Sequence, residues 1–241
     1  MPFETTHWSL VYAAGGSDSS EARQALEQLC TKYWRPLYHF AQRRGLSPEE
    51  AEDMTQEFFM HLLEKHALNK LDHKKGRFRT FLLTSFTNML NNEWDKQRAQ
   101  KRSPGKPLLP LSVFRESSPL NSALAADSDP ELAFDRDWAM TVVRDALEAL
   151  RVRYDDEGKL ELLQVLTPYL TAGRETRPYT ELSNQLGVTT NAVKVAVHRA
   201  RKRYREEIRR QIAQTVRSQE ELDEELKHLL NVLSSSGSDE R

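Results

Sequence analysis

The sequence predicts an all-α protein made of two helical domains joined by a flexible linker, the second domain containing a helix-turn-helix. Three observations point there. Nine glycines and ten prolines are few for 241 residues, so long helices can run with little interruption. Apolar residues recur at spacings of three and four along much of the chain, the period of a helix with one buried face. Five prolines and many serines gather in residues 103–130, a composition that suits an irregular tether. A chain of this length has room for two domains of roughly 100 residues each. The single cysteine, Cys30, excludes an internal disulfide and a multi-thiolate metal site. Apolar runs of only a few residues exclude a membrane-spanning helix. MPFETTHWSL has no basic flank followed by an apolar stretch, so it is not read as a secretion signal and a cytoplasmic location is expected.

The elements follow in order. Asp18 and Glu21 stand at capping-box spacing before Ala22, Ala25, Leu26, Leu29 and Tyr33, which marks a first amphipathic helix. An interruption is expected at Pro36, with Leu37, Phe40 and Ala41 continuing to Gly45. A second box has Ser47 as cap, Pro48 at the first helical position and Glu50 reaching back. Its helix carries Ala51, Met54, Phe58 and Leu62 on one face. Residues 68–80 read as a basic loop. From Phe81 a third helix is expected to bury Leu83, Phe86, Leu90 and Trp94. The first domain is therefore 1–102, the linker 103–130 and the second helical domain 131–218. The tail, 219–241, carries Leu222, Leu226, Leu229 and Leu233 on one helical stripe.

A net charge of −1 hides strong segregation. Residues 70–106 hold ten basic and three acidic side chains, and 180–217 hold nine and three. Residues 47–64 hold six acids and no Lys or Arg, and the tail from 218 holds seven acids against two basic residues. Two basic blocks fit two phosphate-contacting surfaces, and the acidic block fits a basic partner.

Residues 179–203, YTELSNQLGVTTNAVKVAVHRARKR, have the pattern of a DNA-reading helix-turn-helix. Leu182, Leu186, Val188 and Val193 supply packing, Ser183 the crossing point and Gly187 the turn, while Thr190 and Asn191 are placed to cap the second helix. With Val193 and Val197 inward, Lys194, Val195, His198, Arg199 and Arg201 face a major groove or its phosphates. In residues 76–102, Asn88, Asn91, Asp95, Arg98 and Arg102 form one polar face, preceded by Arg77, Phe78 and Arg79. Amides, aromatics and cations together suit unstacked single-stranded bases. Phe78, Phe81, Phe86 and Trp94 also read as core.

The order of these features resembles a bacterial RNA polymerase sigma factor of the extracytoplasmic-function group of the sigma-70 family. YWRPLYHFAQRRGLSPEEAEDMTQEFFMHLLE is similar to the start of region two, and the resemblance puts Asp53, Gln56 and Glu57 against the basic coiled coil of the polymerase β′ subunit. FRTFLLTSFTNMLNNEWDKQR is similar to the promoter-melting, minus-ten-reading segment. There the resemblance implies DNA contacts from Arg77, Phe78, Arg79, Asn88, Asn91, Arg98 and Arg102, with Asn88 on a flipped base and the 68–80 loop pocketing it. Residues 179–203 look like region four, implying minus-thirty-five contacts from Thr190, Asn191, Lys194, Val195, His198, Arg199 and Arg201. The implied partners are core RNA polymerase, through the β′ coiled coil and the β flap, promoter DNA, and an anti-sigma factor where one exists. No catalysis, cofactor, metal or membrane insertion is implied. The chain departs from the family pattern in the apolar Val195 and Ala196, in a long segment before the helix-turn-helix, and in both terminal extensions.

Two other readings stand beside this one. A helix-turn-helix regulator that does not bind polymerase accounts for 179–203 but not for the acidic helix and the asparagines. A metal-dependent enzyme using Glu57, His61, Glu64, His66 and His73 lacks an H-E-x-x-H spacing, and no phosphate-binding G-x-x-x-x-G-K-[ST] loop occurs. The leucine tail suggests a docked helix whose acids restrain DNA binding, or one that simply packs.

Overall fold

The computed structural model describes residues 20–63, 78–101, 129–171 and 178–236. Nine helices and no strand occur among them, in accord with the all-α expectation. In chain order they are α1 (Ser20–Arg43), α2 (Pro48–Leu63), α3 (Phe78–Lys101), α4 (Pro130–Asp156), α5 (Leu160–Leu166), α6 (Pro168–Thr171), α7 (Tyr179–Leu186), α8 (Thr190–Ala213) and α9 (Gln219–Ser236). The cap at Asp18, the basic stretch 68–77 and the proline-bearing residues 103–128 lie outside the described residues.

Pro36 does not interrupt α1, contrary to expectation. A proline inside a helix costs one backbone hydrogen bond and crowds the preceding turn. Here its neighbours Tyr33, Leu37, Phe40 and Ala41 are at most 1% exposed, and that packing outweighs the local penalty. The helix stops at Gly45, whose φ of +99° favours glycine, with Leu46 N–H donating to the Ala41 carbonyl at 3.3 Å. The capping box then opens α2 as read from the sequence. Ser47 N–H donates to the Glu50 carboxylate at 2.9 Å, and Glu50 N–H to Ser47 Oγ at 3.2 Å.

Backbone contacts divide the chain into two compact units, residues 1–139 with 214–241 and residues 140–213. The division falls inside α4, and α9 belongs to the first unit. In that unit Tyr33 meets Phe78 edge-on at 5.2 Å, Phe58 meets Phe86 at 5.1 Å, and Phe40 meets Phe134 at 6.3 Å. Full burial of each ring contributes about 1.5–3 kcal/mol. Helix α3 begins three residues before the expected Phe81, and its buried line is Phe78, Leu82, Phe86 and Leu90. The expected Leu83 is only half-buried, because a stripe counted by fours from Phe78 passes through Leu82. Leu222, Leu229 and Val232 of α9 are buried, while Leu226 and Leu233 are half-buried. Ser218 Oγ accepts the Glu221 N–H at 3.2 Å to open that helix.

The second unit packs around Leu150, Tyr154, Leu163, Leu166, Leu182, Val193, Val197 and Ala200. Helices α5, α6 and α7 each lie against α8. Tyr204 Oη donates to the Val143 carbonyl at 3.0 Å, tying α8 to α4. The long segment before α7 therefore supplies part of this core.

Candidate protein and nucleic-acid interfaces

Helix α2 turns one face inward through Ala51, Thr55, Phe58 and Leu62, all buried. The opposite face exposes Glu52, Asp53, Gln56, Glu57 and His61. Met60 is 58% exposed at the seventh position after Asp53, on the same side of the helix. Sequence reading misses this methionine, although the i, i+3, i+4, i+7 spacing of Asp53, Gln56, Glu57 and Met60 carries the signal. Carboxylates around a flexible thioether make a surface for a basic, partly apolar partner. Glu57 and His61 pair at 3.5 Å. Among the described residues no group of three His, Cys, Asp or Glu is placed to hold a metal ion; Glu64, His66 and His73 lie outside them.

On α3 the exposed residues include Asn88, Asn91, Asn92 and Asp95. Asn88 and Asn91 thus share an open face with Asp95. Asn91 Oδ1 accepts a hydrogen bond from Arg44 at 3.4 Å, and the Arg44 guanidinium lies over the Trp94 ring at 5.3 Å. The side chain of Arg98 and the whole of Arg77 and Arg102 lie outside the described residues.

Phe78 and Arg79 are not on that open face, a correction to their reading as surface contacts. Phe78 is fully buried and Arg79 is 9% exposed. Arg79 is held by Glu225 of α9 through Nε to Oε2 at 3.2 Å and Nη2 to Oε1 at 3.1 Å. Its Nη1 pairs with Asp135, and its guanidinium lies 4.9 Å from the Trp138 ring centroid. Burial works against its charge, but the hydrogen bond and charge of Glu225, with Asp135, hold its pKa above the usual arginine value. Burial, with the Glu225 charge beside it, pushes the Tyr33 phenol up. Cys30 is buried in the same unit, and burial pushes its thiol up to about 12, so it stays neutral and packs as a small apolar group.

In the second unit α7 and α8 are separated by three residues. Gly187 is left-handed at φ +64°, and its N–H donates to the Ser183 carbonyl. Leu182, Ser183, Val193 and Val197 are buried as expected, whereas Val188 is 45% exposed and contributes little packing. The cap of α8 is Thr189, whose Oγ1 accepts the Ala192 N–H at 3.2 Å. Sequence reading places the cap at Thr190 or Asn191, one or two residues later; instead Thr190 donates to Ser183 Oγ at 3.4 Å, fixing the two helices to each other. Asn191, Lys194, Val195, His198, Arg199 and Arg201 are all exposed along α8. Arg201 also donates through Nε to the Tyr169 carbonyl at 3.0 Å. Arg203 is engaged within the fold, 2.9 Å from Glu157 and 5.1 Å from the Tyr154 ring centroid. Hydrogen bonds from Arg203 and then Lys159 hold the Glu157 carboxyl below the usual range.

Residues 29–100 match a family model described as Sigma-70 region 2. No curated protein and no solved structure matches the chain. The match supports a member of the sigma-70 family, whose proteins are non-enzymatic transcription-initiation factors.

Proposed function

We propose, on the Sigma-70 region 2 match of residues 29–100, that this protein is a sigma factor of the extracytoplasmic-function group. It directs core RNA polymerase to specific promoters and helps to open them. The observation that carries the reading is that the matched segment presents two different exposed faces, acidic on α2 and amide-bearing on α3. Asp53, Gln56 and Glu57, with Met60 beside them, dock on the basic β′ coiled coil of the polymerase. Asn88 and Asn91 hydrogen-bond extruded minus-ten bases while Arg77, Arg98 and Arg102 hold phosphates. Opening duplex DNA costs on the order of 1.4 kcal/mol per base step, and capture of the extruded bases offsets part of that cost.

Helices α7 and α8 act as the helix-turn-helix that reads the minus-thirty-five element, with the β flap as their polymerase contact. Thr190 sets the crossing of the helices; Asn191, Lys194, His198, Arg199 and Arg201 meet base edges and phosphates. Val195, 42% exposed, suits a thymine methyl. Nucleotidyl transfer belongs to the polymerase, and this chain supplies address and strand capture.

Charge reversal at two exposed positions tests the polymerase contact. D53K/E57K is expected to lose at least tenfold in affinity for purified core RNA polymerase while its thermal unfolding stays as in the parent. Co-elution with core at the parent level would overturn the assignment.

A further inference from the structure

The first unit keeps one guanidinium away from the surface and gives it two carboxylates. Glu225, 1% exposed, grips Arg79 in a bidentate fork, while Asp135 takes the remaining nitrogen and in turn accepts from His228 of α9 at 2.9 Å. Two parallel N–H···O bonds to one arginine are the geometry with which guanidinium also binds phosphate. Just before α9, the Thr215 carbonyl accepts the Phe78 N–H at 3.4 Å, at the helix end where backbone donors favour anions. The outer side of α9 adds exposed Glu220, Asp223 and Glu224, which repel a phosphate backbone. Arg79 closes the basic stretch of residues 70–79.

We infer that α9 is a built-in competitor for nucleic acid: its Glu225, with Asp135, occupies Arg79 where phosphate oxygens of a captured single strand would bind. This inference rests on the assignment of α3 to strand capture and adds its regulation. Arg79 contacts DNA only after α9 has been displaced, by the strand itself or by a protein that takes up this amphipathic, acidic helix. The sequence-based placing of Arg79 at the DNA and its burial in the fold then describe two states of one residue. Restraint by charge mimicry also explains why Glu225 of α9 is buried against Arg79.

The test uses the full chain and a fluorescein-labelled random-sequence 20-nucleotide single strand, titrated by anisotropy at fixed salt. Glu225→Gln is expected to tighten binding about threefold, and E225Q/D135N about tenfold. Adding R79A to either should abolish the gain. With the carboxylates removed, the dependence of log affinity on log salt should steepen by about 0.7, one additional single-strand phosphate. Circular dichroism melting reports folding; if the double variant does not fold, E225Q alone decides. Folded variants that bind no more tightly, or a gain that survives R79A, would overturn the competitor role. Core-polymerase binding measured on the same samples separates this outcome from failure of the sigma-factor reading, since the strand comparison needs no polymerase.

Discussion

A guanidinium in water and one clamped between carboxylates are different reagents, and this chain holds both. Arg199 is exposed on α8, whereas Arg79 is buried against Glu225 and Asp135. Only the first is free to release counterions from duplex DNA without a rearrangement of its own fold. Lys194, His198 and Arg199 lie within two turns of one another on the exposed side of α8. Lys194 and Arg199 are the two formal cations among the three. Joint replacement of all three by Ala is expected to flatten the salt dependence of binding to a random-sequence duplex by close to two, at about 0.9 for each phosphate no longer neutralised. An unaltered slope would remove this face from the DNA. Arg203 is the internal contrast: it is as basic as Arg199 in the sequence but is committed to Glu157 and Tyr154.

At the scale of elements, local chemistry is legible in the sequence and tertiary chemistry is not. The Ser47–Glu50 box needs only residues three apart, and it forms as read. The Gly187 turn likewise needs only one left-handed residue between two amphipathic stretches. Pro36 misleads because its penalty is local while the aromatic packing that outweighs it comes from α3 and α4. The buried stripe of α3 keeps the expected Phe86 and Leu90 but passes through Leu82 in place of Leu83, because its first member, Phe78, belongs to the helix and not to the basic loop. The turn offers a clean measurement. A Cβ at Gly187 would have no atom within 4 Å, so Gly187→Ala incurs backbone strain alone, about 1–2 kcal/mol. It should lower the melting temperature of the chain by a few degrees, with Gly187→Asn losing less. An alanine variant that melts with the parent would show that the turn does not hold the left-handed conformation.

For the whole molecule, the decisive contacts join residues far apart in the chain. Arg79 and Glu225 are separated by 146 positions and Arg79 and Asp135 by 56, so no spacing rule finds them. The leucine stripe shows that α9 has a face to bury, but not which surface receives it. Its place in the first unit, with residues 130–139, makes that unit larger than the segment matching Sigma-70 region 2. Charge segregation is legible in the sequence, and the acidic face of α2 follows it. Under the proposed function, what that face and the amide-bearing face of α3 do together is a property of a complex with polymerase and promoter. The most direct measurement is therefore transcription by purified core RNA polymerase on fragmented genomic DNA, with this chain as the sole specificity subunit. Transcripts from discrete start sites, absent when the chain is omitted, are expected. Initiation as sparse and scattered as with core enzyme alone would contradict the sigma-factor reading.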